Sequence, residues 1–256
     1  MKSTNILKYA KRKGSSPRSS ALLEHPIREN CEEIDGNRGF HLKNENLTFP
    51  GVTRRIKEVF YPGFKHIDKN KKRPRKGTCS SISIGNRVHS ELFHITNCKD
   101  KCLCKEPPKK RLHRFTKKAI DKFKEMEITI EESEVMIVSR GMRLGTRLDL
   151  VGTMFKGQEN ESMVVVSIKT GIPGTYRNPQ KMNAPLDFLG SEPRNHNQLQ
   201  GMIEHIILDR DYGIDVQEYL IMYLGKDGVI VESLESWCRS KTNRDNVFSA
   251  VSRAKH

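Results

Sequence analysis

The sequence predicts an α/β (α+β) fold in which a central mixed β-sheet is flanked by helices. After residue 127 the hydrophobic period changes from helical to strand-like. The run "SMVVVSIKTG", residues 162–171, is almost continuously apolar, as expected of a central strand buried on both faces. The predicted order is helices, three strands, a helix and two strands, which is typical of a sheet with helices packed on it.

Three helices are predicted before the first of these strands. The first precedes Pro62-Gly63, the second lies in "SIGNRVHSELFHI", and the third covers residues 115–127. The apolar residues that align on their inner faces are Val52, Ile56 and Phe60 in the first helix, Val88, Leu92 and Ile95 in the second, and Phe115, Ala119, Phe123 and Met126 in the third.

The second half of the chain predicts the sheet. "SEVMIVSRGMRLGTRLDLVGTMF" alternates like two strands that meet around Arg140-Gly141. "EYLIMYLGKDGVIVESL" predicts a hairpin that turns at Asp227-Gly228. Between these segments an amphipathic helix is predicted from the i, i+3, i+4, i+7, i+8 spacing of Leu199, Met202, Ile203, Ile206 and Ile207.

The chain divides into four predicted segments. Residues 1–46 are polar and serine-rich at their start, without sustained periodicity, and are expected to form a disordered basic extension. Residues 47–80 form an ordered lead-in segment and a basic loop. The main domain covers residues 81–240, and residues 241–256 form a C-terminal tail.

Charge is distributed unevenly along the chain. Residues 1–128 hold 31 Lys and Arg against 14 Asp and Glu, whereas residues 129–256 hold 15 against 17. An excess of positive charge confined to one half predicts a polyanionic partner, and we expect nucleic acid, bound through its phosphates. No apolar run is long enough to span a bilayer, and no signal-peptide core follows Met1, so no membrane partner is expected.

The run "KNKKRPRKG", residues 69–77, has three interpretations: a solvated loop, a nuclear localisation signal, or a contact with the DNA backbone. This basic run favours the nucleus as the location. The N-terminal segment has no acidic residue before Glu24, which permits a mitochondrial transit peptide instead. The residues expected to contact DNA are Arg54, Arg55, Lys71, Lys72, Arg73, Arg75, Lys76, Arg87 and Thr170.

Polar residues near the ends of two predicted strands form the candidate site. Alternation places Leu144, Thr146, Leu148 and Leu150 on one face of the first strand, and Gly145, Arg147 and Asp149 on the other. In the next strand Ser167 and Lys169 share a face. Pairing would bring Asp149, Ser167 and Lys169 to one sheet edge. Either Asp149 and Lys169 form a plain salt bridge, or they serve phosphodiester hydrolysis with a divalent cation.

These residues resemble the core of the PD-(D/E)XK nucleases, specifically the RecB-like branch, with its Asp strand followed by an acid-x-Lys strand. "GNRVHSEL" looks like the family's Gly-x-x-x-His helix, which makes His89 the counterpart of a metal-binding histidine. "QLQGMIEH" is similar to its Gln-x-x-x-Tyr helix, with Gln200 aligned and Glu204 at the tyrosine position. "FPGVTRRIKEVF" and "YLIMYLGKDG" resemble segments of mitochondrial genome maintenance exonucleases. The resemblance covers residues 47–238.

The resemblance implies a restriction-endonuclease-like core that cleaves single-stranded DNA or duplex ends with Mg²⁺ or Mn²⁺. Asp149 and Lys169 would be catalytic, and Gln200 would position the strand. Ser167 departs from the family, because it stands at the position of the second acid and is a degenerate ligand position. Glu134, which we expect at the start of the preceding strand, the backbone carbonyl of Ile168, and His89 could compensate as metal ligands.

Two further alternatives follow from the sequence. The first is a nuclease fold without activity that serves as a DNA-binding accessory factor, which Ser167 favours. The second is a basic virion or chromatin-associated protein that binds DNA through its N-terminal half alone. Cys98, Cys102 and Cys104 could hold zinc or an iron–sulfur cluster, but their spacing fits neither familiar pattern, and free thiols in a reducing compartment are expected instead.

Overall fold

The computed structural model describes residues 31–34, 39–45, 47–61, 81–97, 112–171 and 180–254. Within them a five-stranded mixed β-sheet is flanked by helices, which confirms the predicted fold class. In this part of the chain no helix is long and apolar enough to cross a membrane. The basic run at residues 69–76 and the cysteines at 98, 102 and 104 lie outside the described residues, so what we expect of them stays a prediction.

The strands of the main sheet lie in the order β4 (Ile128–Ser139), β5 (Leu144–Met154), β6 (Ser162–Thr170), β7 (Glu218–Leu224) and β8 (Val229–Ser233). Strands β6 and β7 are parallel, and the other neighbouring strands are antiparallel. Strand β6 is buried along most of its length, as predicted from its apolar run.

Helices cover both faces of this sheet. The bounds are α1 (Val52–Phe60), α2 (Ser81–Asn97), α3 (Arg114–Glu125), α4 (Pro193–Tyr212), α5 (Ser236–Arg239) and α6 (Lys241–Arg253). Helices α1, α4 and α6 share one apolar cluster with the sheet, and α2 and α3 share the other. Parallel neighbouring strands need a long crossover connection, and helix α4 forms the one between β6 and β7.

Helix α4 begins and ends where its sequence indicates. Pro193 occupies its first turn, and Gly213 ends it in the left-handed conformation with φ of 67°. The five apolar residues predicted for its inner face are completely buried. Because this face packs against β7 and α1, the polar residues of α4 beside it are held in fixed positions relative to the sheet.

A small antiparallel sheet precedes the core. Its strands are β1 (Cys31–Ile34), β2 (Gly39–Leu42) and β3 (Leu47–Pro50), with a short 3₁₀ helix at Lys43–Glu45. Phe40, Leu42 and Phe49 pack with Val138 of β4, so this sheet closes over one end of the main sheet.

Three expectations about the elements need correction. Ordered structure begins before residue 46, because β2 pairs with β3 and buries Phe40 and Leu42. The expected tail contains α6, whose Val247 and Val251 are buried in the core. Ile95 is exposed at 44%, away from the inner face of α2.

The side chains of β5 were predicted to alternate regularly between the two faces of the sheet, but this alternation is interrupted between Leu148 and Leu150. Leu148 belongs to the apolar cluster on the α4 side, whereas Leu150 belongs to the cluster on the α2 side. Strand β4 also begins at Ile128, so Glu134 lies in the middle of a strand and not at its start. Glu134 has a left-handed backbone with φ of 58°, opposite the point where β5 changes face.

Candidate metal centre

His89, Glu134 and Asp149 come together between α2 and the sheet. Nδ1 of His89 lies 3.0 Å from Oε1 of Glu134 and 3.7 Å from Oδ1 of Asp149. One ligand atom from each of the three residues lies within 4.8 Å of the other two. Two carboxylates and an imidazole at this separation can hold a metal ion between them.

A close approach of α2 to the end of β6 positions His89. A Cβ added at Gly85 would lie 3.1 Å from Oγ1 of Thr170, so this turn of the helix leaves little room for a larger residue. His89 follows one turn later and therefore projects from the same face of the helix. The Gly-x-x-x-His spacing thus has a physical reason: the glycine admits the strand end, and the histidine reaches the carboxylates.

The backbone of Glu134 is strained. Left-handed φ values are uncommon for residues other than glycine, and such strain, with a cost of about 1–3 kcal/mol, often occurs at functional sites. With a φ of 58°, Glu134 departs from regular strand geometry, and its carboxylate meets His89 of α2. Surrounding structure maintains this conformation, because Val135 and Ile137 on the same strand are completely buried.

Asp149 is fixed by the neighbouring strand. The β5–β6 register runs from Met154↔Ser162 to Leu150↔Val166. Immediately beyond it, Oδ2 of Asp149 accepts hydrogen bonds from the Ile168 backbone amide at 2.7 Å and the Ser167 hydroxyl at 3.1 Å. Oδ2 is therefore occupied by donors, and Oδ1 faces His89.

Lys169 belongs to a second group of polar side chains on the α4 side of the sheet. Its Nζ donates to Oε1 of Gln200 at 3.4 Å, and Nε2 of Gln200 donates to Oε1 of Glu204 at 2.9 Å. Glu204 also accepts hydrogen bonds from the hydroxyls of Thr146, at 2.8 Å, and Tyr219. Because Glu204 accepts from the amide nitrogen of Gln200, it turns the amide oxygen towards Lys169.

The two groups lie close enough to act on each other electrostatically. Lys169 and Asp149 both influence the pKa of His89 and that of Glu204. Asp149 and Ser167, the residue that donates to Asp149, also influence the pKa of Tyr219. Among the described ion pairs none joins Lys169 to Asp149, so the plain salt bridge considered as an alternative is not observed there.

The pKa of His89 is raised above its ordinary value of 6.5. Burial lowers this pKa, but the hydrogen bond to Glu134 and the negative charges of Asp149 and Glu134 outweigh burial. Each negative charge that favours a proton on His89 also favours a metal ion in the cluster.

Glu204 and Tyr219 are buried and their pKa values are raised. Burial raises the pKa of the Glu204 carboxyl, and hydrogen bonds from Tyr219 and Gln200 oppose the effect. The pKa of Tyr219 lies well above its ordinary value because of burial and the adjacent charge of Glu204. Tyr219 therefore keeps its proton and donates to Glu204.

The prediction that Arg55 contacts DNA is wrong, because this residue is buried. Arg55 is 1% exposed, and its guanidinium donates to the Ala254 carbonyl at 3.4 Å near Glu58. Burial lowers its pKa. Arg55 therefore joins α1 to the C-terminal helix α6 and cannot lie on a DNA-binding surface.

The other described residues of that set remain accessible. Arg54 pairs with Glu58 at 2.7 Å with 46% of its side chain exposed, and Arg87 pairs with Glu91 at 2.7 Å with 37% exposed. Thr170 lies beside Gly85 at the end of β6. The backbone carbonyl of Ile168 remains a predicted metal ligand, while its backbone amide donates a hydrogen bond to Asp149.

Arg147 and Tyr219 have no role predicted from the sequence. Arg147 forms an ion pair with Glu134, and its position two residues before Asp149 was the available signal. For Glu204, the signal was a carboxylate in an otherwise apolar helical stretch, one turn after Gln200. Tyr219 lies inside an apolar run and gave no sequence signal of its own.

No protein-family model matches the chain, and a search of curated proteins gives no match. Among solved structures, the chain is similar to one titled "Crystal structure of SSO0001", at 13% sequence identity over 67% of this chain, with a TM-score of 0.34. The chain spans 58% of the length of that structure's chain.

Proposed function

We propose that this protein is a divalent-metal-dependent nuclease that hydrolyses phosphodiester bonds in DNA, as a member of the PD-(D/E)XK superfamily in its RecB-like branch. The observation that carries the proposal is the cluster of His89, Glu134 and Asp149, with Lys169 close enough to influence the pKa of His89. The excess of positive charge in the first half of the chain supports DNA as the substrate.

The donor set supports Mn²⁺ or Mg²⁺ as the cofactor. Carboxylate oxygens suit both ions, and an imidazole nitrogen suits Mn²⁺ better than Mg²⁺, which prefers oxygen ligands and water. When bound, the ion supplies Lewis-acid polarisation of a phosphate and a more acidic water. Asp149 and Glu134 hold it with their charges, and His89 contributes a nitrogen.

Lys169 has a separate role. Its ammonium faces the Gln200 amide oxygen, which neither neutralises it nor takes its proton. A positive charge held this way stabilises the negative charge that accumulates on a phosphate during hydrolysis and orients the attacking water. Glu204 and Tyr219 keep Gln200 in the orientation that this role requires.

A second candidate is a DNA-binding accessory factor that retains the fold without the reaction. Ser167 favours it, because a serine hydroxyl that donates to Asp149 leaves the cluster one carboxylate short of the family pattern. The two candidates differ only in cleavage, so a cleavage assay separates them.

The test is digestion of end-labelled single-stranded and double-stranded DNA by the full chain with Mn²⁺ or Mg²⁺. Wild-type protein should cut at least one substrate, while Lys169→Ala and Asp149→Ala should each reduce the rate by about a hundredfold or more. Cleavage that is unchanged in both variants would overturn the proposal. DNA binding without cleavage by the wild type would establish the accessory factor instead.

A further inference from the structure

Arg147 lies beside the metal centre and has no part in the mechanism proposed above. It is on β5, two residues before Asp149, and its guanidinium forms an ion pair with Oε2 of Glu134. The other oxygen of that carboxylate, Oε1, contacts His89 at 3.0 Å. Both oxygens of Glu134 are thus shared with positively charged or proton-bearing groups.

The exposure of the two partners differs. The Glu134 side chain is 15% exposed, whereas the Arg147 side chain is 47% exposed. A half-exposed guanidinium can leave the carboxylate for solvent at little cost, since exposed ion pairs contribute little to stability. The backbone of Glu134, in contrast, is fixed by the completely buried Val135 and Ile137 on the same strand, so its carboxylate stays in place.

A divalent cation and the Arg147 guanidinium compete for the same carboxylate. A cation bound between Glu134, His89 and Asp149 uses an oxygen of Glu134 and repels a guanidinium held a few ångströms away. A guanidinium displaced at the rim of such a site is suited to a phosphate, which it can bind through two parallel hydrogen bonds.

We infer that Arg147 is a phosphate-binding residue that Glu134 holds back until a metal ion binds; this rests on the proposed function. Metal binding releases the guanidinium to the backbone phosphate of the nucleic acid, and phosphate binding by Arg147 frees Glu134 for the metal. Because such coupling is reciprocal, metal strengthens nucleic-acid binding and nucleic acid strengthens metal binding by the same factor.

The test measures Mn²⁺ affinity by isothermal titration, with and without a short single-stranded oligodeoxythymidine, in full-length protein that carries Lys169→Ala to prevent cleavage. Arg147→Gln is compared with Arg140→Gln, a matched control whose guanidinium pairs with Glu45 at 46% exposure and lies outside the cluster. Without DNA, Arg147→Gln should bind Mn²⁺ about threefold to tenfold more tightly than the parent. It should also bind the oligonucleotide more weakly, and its metal–DNA coupling should fall, while Arg140→Gln matches the parent.

The competition is the feature that distinguishes this inference from a simple phosphate contact. If Arg147→Gln binds Mn²⁺ no more tightly than the parent, the inference is overturned, and the proposed nuclease function stands. If the competition is found but the wild-type chain cuts no DNA, the inference stands and the accessory role replaces the nuclease. Failure of the parent to bind Mn²⁺ overturns both.

Discussion

Ser167 donates its hydroxyl to Oδ2 of Asp149 at 3.1 Å. The serine therefore supports the carboxylate at the position where the resemblance implies a second acid. Together with the Ile168 amide, it occupies one oxygen of Asp149 and leaves the other towards His89. This arrangement explains how a cluster without the second acid keeps its geometry.

Replacing Ser167 with Asp should tighten metal binding and raise cleavage activity. A second carboxylate beside Asp149 adds negative charge to the cluster and offers another oxygen ligand. Without metal the two carboxylates repel each other, so the melting temperature should fall and recover with Mn²⁺. Ser167→Ala is the control and should lower both affinity and activity by a small factor. If Ser167→Asp raises neither quantity, the site holds DNA without cutting it.

Replacing Glu204 with Gln should reduce kcat by about tenfold while KM for DNA and Mn²⁺ affinity stay unchanged. The amide oxygen of a glutamine accepts from the Gln200 amide nitrogen more weakly than a carboxylate does, so the Gln200 oxygen is held less firmly towards Lys169. The double variant Gln200→Glu, Glu204→Gln should not recover activity, because a glutamate at position 200 neutralises the charge of Lys169.

Tyr219→Phe is the matched control for the Glu204 experiment. It removes one donor to Glu204 but leaves the contact with Gln200, so its effect on kcat should be smaller. Thermal melts of all variants separate loss of positioning from loss of fold. An unchanged kcat in Glu204→Gln would show that Glu204 does not position Lys169.

Metal affinity should depend on pH through His89, whose pKa is raised. A protonated imidazole cannot bind a metal, so affinity should fall by up to about tenfold per pH unit below that pKa. The folding stability of the metal-free protein depends on pH in the opposite direction, because it is higher at low pH. The stability from the protonated imidazole is present below its ordinary pKa of 6.5 and is lost as pH rises through the raised value. Mn²⁺ titrations across pH, with His89→Asn as the variant that lacks this dependence, check the prediction. A parallel pH dependence in both proteins would contradict it.

His196 should make the fold sensitive to acid. Burial, aided by the charges of Lys57 and Lys169, lowers its pKa from 6.5 to about 4. Its ring lies 5.3 Å from that of Tyr61, and within the described residues its Nε2 is buried without a hydrogen-bond partner. The unfolded chain takes up the proton first as pH falls below 6.5. The free energy of unfolding should therefore decrease by about 2–3 kcal/mol on the way to the lowered pKa.

Urea unfolding of wild type and His196→Phe at neutral and acid pH measures this effect. As pH falls, wild type should lose more unfolding free energy than His196→Phe, so the variant should become more stable relative to wild type. A difference that does not change with pH would refute the lowered pKa.

Periodic segments made most of the fold predictable. Helix α4 and strand β6 combine long apolar patterns with clear end signals, and both were found where the sequence placed them. Strands β1 and β2 have only four residues each, and their stability comes from pairing with β3 and from Phe40 packing on the main sheet. Such non-local contacts leave little local pattern.

The sequence predicted which residues belong to the candidate site better than it predicted their geometry. Asp149, Lys169, His89 and Glu134 were named from motif order, but the face change of β5 and the left-handed Glu134 depend on strand pairing and have no sequence signature. The burial of Arg55 could have been predicted, because residues 52, 55 and 56 share one helical face.

The central claim is that Asp149, Glu134 and His89 together hold one divalent cation. Titration of the full chain with Mn²⁺ tests it, comparing wild type with Asp149→Asn. Glu131→Gln is the control, because Glu131 lies on β4 outside the cluster and accepts from Thr153 of β5 and from Lys156, which follows that strand. We predict one bound ion in wild type and the control, and an affinity at least about a hundredfold weaker in Asp149→Asn. Equal affinity in wild type and Asp149→Asn would contradict the account.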